Sequence, residues 1–172
     1  MASIRRKDSD RLLGMEIPDL PPDLRFARMP HTQEAANFAF EAKRAAMGPH
    51  IIRHWAWDEE FQRDRHLRNF DEKPFFQIIH AEHPVGTLSF QMKEDHFRLG
   101  EFYLFPALQG KGLGSAILCH CLALADELAL PTRLEHLHWN PARALNERYG
   151  FIEIGHSDIH RFMERPVPPR SS

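Results

Sequence analysis

The run Phe97–Ala125, FRLGEFYLFPALQGKGLGSAILCHCLALA, constrains the fold more than any other part of the chain. Phe97 to Phe105 is bulky and apolar, interrupted by one acidic residue, Glu101. Such a run suits a buried strand, which Pro106 ends. Gln109-Gly110-Lys111-Gly112-Leu113-Gly114 follows at once, and then Leu113, Ile117, Cys121, Leu124 and Leu128 recur at helical spacing. The stretch therefore predicts a strand, a glycine turn and a helix with one apolar face. Three glycines within five residues leave no side chains over the amides that open the helix. Those unpaired N–H groups, with the positive end of the helix dipole, form a cradle for an anion such as a phosphate.

Spacing narrows the ligand. A P-loop needs Ser or Thr after its Gly-Lys pair, whereas Lys111 is followed by Gly112. A dinucleotide fingerprint needs a third glycine three places after the second, and that place holds Ser115. A plain glycine-rich strand-to-helix turn is the bland alternative.

The remaining chain reads as one domain, residues 23–165, behind an N-terminal arm, residues 1–22, that is charged and then proline-rich. A Pro-rich tail, residues 166–172, follows it. A length of 172 residues can bury roughly two-thirds of the unfolded surface in one core. The net charge of −2 gives no basic excess to attract nucleic acid or an anionic membrane, so neither partner is expected. No apolar run reaches membrane-span length, and Met1 to Gly14 is too polar for a signal peptide. Cys119 and Cys121 lie two apart on the predicted helix, on different faces, and a reducing cytoplasmic setting fits them best.

Leu24 to Met29 is expected as a first strand, and Thr32 as the N-cap of a helix whose stripe, Ala35 to Ala46, stops at Gly48-Pro49. Asp58 caps a second, mostly polar helix reaching about Asn69, with Glu59 and Glu60 complementing its dipole. Phe75–His80 and Val85–Met92 make a hairpin around Ala81 to Pro84. Arg133–Trp139 is a strand. Pro141 opens a short helix over Ala142–Tyr149, and Phe151–Ile154 and His160–Met163 pair around a turn from Gly155 to Asp158. The fold class is α/β of the α+β type: a mixed, mostly antiparallel central sheet of about seven strands flanked by helices.

Two motifs carry a family resemblance. Gln109-x-x-Gly112-x-Gly114 after a strand resembles the acyl-CoA pyrophosphate loop of the GNAT N-acetyltransferases. Asn140-Pro-Ala-Arg-Ala-Leu-Asn146-Glu-Arg-Tyr-Gly150-Phe151 resembles that family's later motif, one strand further on. The resemblance covers about Arg25 to Arg165 and implies a V-shaped opening for acetyl-CoA between the fourth and fifth strands. Pantetheine would pair with main chain at Tyr103, Leu104 and Phe105. The pyrophosphate would rest on amides of Gln109, Gly110, Lys111, Gly112, Leu113, Gly114 and Ser115. Asn140 would bond the pantetheine arm.

The implied reaction moves an acetyl group from acetyl-CoA directly to a primary amine of a small-molecule or amino-acid-like acceptor. Glu101 takes the place of the general base, with Tyr103 as a second catalytic candidate, against the plainer reading of Glu101 as half of a structural ion pair. The family commonly has a tyrosine, able to protonate the departing sulfur, where this chain has Asn146; an amide there can bond the cofactor's sulfur but supplies no titrating proton. That departure favours the alternative function, a non-catalytic acyl-CoA-binding sensor or interaction module. Trp55, Trp57 and Phe61 lie where the family's acceptor entrance is, so they are substrate-pocket candidates as well as core candidates. A homodimer is compatible with the resemblance. Among the twelve histidines, His136 and His138 share a strand face, but no cysteine or carboxylate joins them at ligand spacing, so no metal is expected.

Overall fold

The computed structural model describes residues 22–169; the expected arm, apart from Pro22, and the last three residues of the expected tail lie outside them. Strand β1 (Leu24–Arg28) leads to helix α1 (Gln33–His54) and helix α2 (Glu59–Glu72). Strands β2 (Phe75–His80), β3 (His83–Met92) and β4 (Phe97–Leu104) follow, then helix α3 (Leu113–Glu127) and β5 (Thr132–Leu137). Helix α4 (Arg143–Arg148), β6 (Ile152–His156) and β7 (His160–Arg165) complete the chain. The strand order in the sheet is β1-β2-β3-β4-β5-β7-β6. β4 pairs with β5 in parallel, and the β1/β2, β2/β3, β5/β7 and β6/β7 pairs are antiparallel. Among the described residues no helix is long and apolar enough to cross a membrane.

The chain divides into two compact units. The first holds residues 22–90 and Glu101–Gly114. In it Met29, Ala35, Ala36, Ala39, Phe70 and Phe75 form a buried cluster, with Phe38 and Leu67 against it. Both predicted caps are present: Thr32 accepts from the Ala35 N–H at 3.2 Å and Asp58 from the Phe61 N–H at 2.9 Å. Helix α1 does not stop at Gly48-Pro49. It runs through both to His54, and Trp55 then caps it by donating its N–H to the Ile51 carbonyl. Pro49 costs one ladder bond, but Gly48 before it has no Cβ to clash with the proline ring, and buried Ile51 holds the last turn in place. The β2/β3 turn is tighter than expected: Ala81 and Glu82 stand at φ 48° and 64°, and β3 begins already at His83. Pro84, which has no N–H to give a ladder, sits in β3 opposite Ile79, next to the register shift at Ile78/Ile79.

The second unit holds Gln91–Gly100 and the chain from Ser115. Ile117, Cys121 and Leu124 are buried as the stripe predicts, but Leu128 is exposed. Helix α3 ends before it: Ala129 turns left-handed at φ 53°, Leu130 N–H reaches back to the Ala125 carbonyl, and Ala129 N–H bonds that of Asp126. An alanine does here what a glycine usually does, so no glycine in the sequence marks the helix end. Pro141 lies outside α4, whose N-cap is Ala142. Gly155 lies inside β6 rather than in the turn, at a second bulge between Glu153 and Gly155; the turn itself is organised by Ser157, whose Oγ accepts from the Ile159 and His160 N–H groups. Cys119 and Cys121 are both free thiols, and burial pushes Cys121 up to about 12.

His120 on α3 is buried, and that burial pushes it down to about 4 from an ordinary 6.5. Its folded-state value lies below the unfolded one, so its contribution to stability is present above pH ~6.5 and is lost as pH falls toward 4. Thermal denaturation across that window should show stability falling by up to about 1.4 kcal/mol per pH unit from this group, and His120→Gln should flatten the slope.

Candidate functional site

The groups around Glu101 all belong to the unit that contains residues 22–90 and 101–114. Glu101 sits on β4 at φ 48°, a left-handed conformation that a non-glycine residue seldom adopts within a strand. The Thr87 hydroxyl donates to its carbonyl at 3.0 Å, which ties the distorted residue to β3. Its side chain is only 8% exposed and receives two bonds on one oxygen. Lys73 Nζ donates to Oε1 at 2.8 Å and Asn69 Nδ2 donates to the same atom at 3.2 Å. Oε2 carries neither.

Two more polar groups lie under this arrangement. Lys43, on α1, is buried, and burial holds its amine below the ordinary lysine range; Glu101 opposes that effect, while the charges of Arg65 and Lys73 add to it. His66, on α2, is 1% exposed among the rings of Phe40, Phe70 and Phe75. Burial lowers its pKa too, so it is neutral and its Nε2–H donates to the Ala36 carbonyl at 3.0 Å. Nothing in the sequence alone marks Lys43, His66, Asn69 or Lys73 as partners of this carboxylate. The signal that groups the three on α2 and its C-cap is the spacing 66, 69, 70, 73, one face of a mostly polar helix; Lys43 on α1 has none.

The glycine turn has the geometry an anion cradle needs. Gly110 and Gly112 stand at φ 72° and 81°, and nothing lies within 4 Å of where a Cβ would be at either. Open space therefore lies over the turn, and the first amides of α3, from Leu113 onward, have no earlier helical carbonyl to bond. Gln109 serves as a brace, its Nε2 donating to the Leu104 carbonyl at 2.8 Å and tying the turn to the end of β4. Pro106–Leu108 forms a single 3₁₀ turn between them. Tyr103, Leu104 and Phe105 bring β4 to its end, where the Phe105 N–H bonds the Val85 carbonyl at 3.0 Å.

The other expected site residues are placed as follows. Trp57 is half-buried, its ring against Gly48 and 6.2 Å from that of Phe40, with Nε1 donating to Glu59 at 2.7 Å. Trp55 and Phe61 are exposed, at 46% and 53%. In the second unit, the Asn140 side-chain oxygen accepts from the Ala142 N–H at 2.9 Å and so shapes the entry to α4. Asn146 is buried on α4, and its main-chain carbonyl accepts from the N–H groups of Tyr149 and Phe151. His136 Nδ1 contacts the Leu137 carbonyl and His138 Nε2 the Ser157 carbonyl; among the described residues no three His, Cys, Asp or Glu side chains gather as a metal site.

Residues 35–151 match the sequence model of the Acetyltransferase (GNAT) family. No curated protein matches the chain in sequence. Solved structures do match in fold. PH1933 from Pyrococcus horikoshii OT3 is 20% identical with a TM-score of 0.66, over 85% of this chain and 99% of that one. The PaiA N-acetyltransferase from Thermoplasma acidophilum, solved in complex with coenzyme A, is 14% identical with a TM-score of 0.64, over 84% and 99%. The ribosomal-protein-S18-alanine N-acetyltransferase from Escherichia coli is 18% identical with a TM-score of 0.61, over 86% and 96%.

Gly86 on β3 makes the close approach on which the end of β4 depends. A Cβ there would stand 2.0 Å from the Tyr103 carbonyl oxygen and 3.1 Å from the Leu104 Cα. Both are main-chain atoms that cannot swing aside. Gly86→Ala should lose about 1–3 kcal/mol or more in chemical denaturation, because one strand must move to admit the methyl group. A variant as stable as the wild type would contradict this packing.

Proposed function

The chain belongs to the GNAT acetyltransferase family, and from that premise we propose that it moves an acetyl group from acetyl-CoA directly to a primary amine of a small-molecule or amino-acid-like acceptor. The observation that carries this reading is the succession along one unit of a buried carboxylate, a strand end and a left-handed glycine turn: Glu101, Tyr103–Phe105, then Gly110 and Gly112. The open turn fits the pyrophosphate of acetyl-CoA, a doubly anionic group, and the strand end offers main chain to its pantetheine arm. When bound, acetyl-CoA supplies the activated acetyl thioester.

The residues then have separate tasks. Glu101 accepts the proton of the incoming ammonium, whose pKa is about 10.4 if it is lysine-like. With Lys73 and Asn69 both on Oε1, Oε2 is the oxygen left for that proton. A main-chain N–H of β4 answers the negative charge that develops on the carbonyl oxygen. Asn146, where the family commonly has a tyrosine, is an amide and supplies no titrating proton. A thiol of pKa about 8.5 is a tolerable leaving group unaided. The same asparagine favours the second reading, a module that binds acyl-CoA without transferring it.

Acetyl-CoA should raise the melting temperature, since a ligand of the native state stabilises it by mass action. Gly112→Asp should abolish the shift by placing a carboxylate over the turn at a left-handed position, and Gly114→Asp should do the same at the first turn of α3. An undiminished shift in both variants would remove the cradle.

Turnover separates the two functional readings. Acetyl-CoA incubated with a panel of small amines, amino acids and an alanine-terminated peptide should release free thiol; the peptide is included because one structural neighbour is a ribosomal-protein alanine acetyltransferase. Glu101→Gln should keep the melting shift and lose roughly 10²–10⁴-fold in rate, less as pH rises and the acceptor deprotonates in water. Binding without thiol release from any amine would leave the module reading standing.

A further inference from the structure

The contact between Lys73 and Glu101 has the geometry of an acceptor amine on its base. We propose that Lys73 is itself an acetyl acceptor, so that the protein acetylates its own chain at this residue; the inference rests on the acetyltransferase reading above. A general base must lie within about 2.6–3.2 Å of the amine whose proton it takes. Lys73 Nζ meets that condition at 2.8 Å from Glu101 Oε1. Among the described residues, its amine is the one that hydrogen-bonds this carboxylate. Lys73 caps the C-terminus of α2 immediately before Pro74, so the helix ends there and the side chain reaches β4 from a fixed backbone. Asn69, one turn earlier, holds the same oxygen in place.

The two partners differ in exposure in the direction the reaction needs. The Lys73 side chain is 29% exposed and that of Glu101 8%, so the amine is on the more open side of the pair. Lys43 senses the same carboxylate but is buried. An ordinary structural bridge would account for the pairing alone. It would not account for a partly open lysine held on the carboxylate of β4, at a residue whose backbone is in a strained conformation.

The step balances without a further reagent. Glu101 takes a proton from the Lys73 ammonium, and the freed Nζ lone pair forms a bond to the thioester carbonyl carbon. The carbon–sulfur bond breaks, and CoA leaves as thiolate and is protonated. The products are an acetamide on Lys73, free CoA thiol and one proton released to solvent. The amide carries no charge, so the ion pair with Glu101 is lost.

The test incubates the full chain with acetyl-CoA and no acceptor, then follows intact mass and peptide mapping. The expected result is one acetyl group per chain, on Lys73, appearing at a rate independent of protein concentration. Glu101→Gln should slow it by about 10²-fold or more. Lys73→Arg, which retains the charge, should bind acetyl-CoA with an undiminished melting shift and remain unacetylated. An unmodified Lys73 in a protein that shows the melting shift and acetylates an external amine would overturn this inference alone. So would an acetyl group on Lys43 instead, equal acetylation in Glu101→Gln, or a rate proportional to protein concentration. No melting shift and no acetylation anywhere would overturn the underlying reading with it.

Discussion

A carboxylate that is nine-tenths withdrawn from water must be answered by positive charge or hydrogen bonds, and the arrangement around Glu101 follows from that requirement. Helix α2 meets it by ending where it does: Pro74 stops the helix, Lys73 caps it, and the last polar face carries Asn69 and Lys73 to the carboxylate. Removing one partner of such a pair leaves the other charge stranded, which costs more than the pair contributes. The pairing therefore specifies how α2 and β4 lie within their unit more than it adds to stability. The left-handed φ of Glu101 points the same way, since a conformation that costs about 1–3 kcal/mol persists only where the surroundings hold it.

The same strand is constrained again two residues on. Gly86 lets β3 approach the Tyr103 carbonyl at a distance no side chain would allow, and the Phe105 N–H bonds the Val85 carbonyl beside it. Gln109 then folds back onto Leu104. The strand end and the glycine turn are therefore one braced piece, and the amides of the turn are aimed by that brace rather than by the glycines themselves. The glycines supply what the brace cannot: two left-handed residues and an open surface.

Buried polar groups in this unit divide by protonation. Lys43 and His66 are both held toward their neutral forms by burial, and His66 spends its one N–H on the Ala36 carbonyl. Aromatic rings enclose the histidine on three sides. Of the two lysines near Glu101, Lys73 is the more solvent-exposed, and it is the one that bonds the carboxylate.

How much of this was legible depends on how far apart in the chain the interacting residues lie. The strand, the glycine turn and the start of α3 are local, and residues 97 to 125 alone determine them: an apolar run, glycines at two left-handed positions, and a stripe of period 3.6. Caps at Thr32 and Asp58 are local too, and both are where the sequence places them. Glu101 was legible as a singular acid in a buried strand, but its partners were not. Lys73 is 28 residues away and Asn69 32, and nothing in a helix that reads as polar says which of its charges will be turned inward. The helix ends show the same division. Gly48-Pro49 reads as a stop, yet buried Ile51 carries α1 onward, and Leu128 reads as core, yet α3 has ended at Glu127 and Leu128 is exposed just before the left-handed turn at Ala129. Sequence by itself determined the segments whose energy is spent within a few residues. Only the tertiary structure decided which charges meet, because desolvation is a property of the place a side chain ends in and not of its neighbours along the chain.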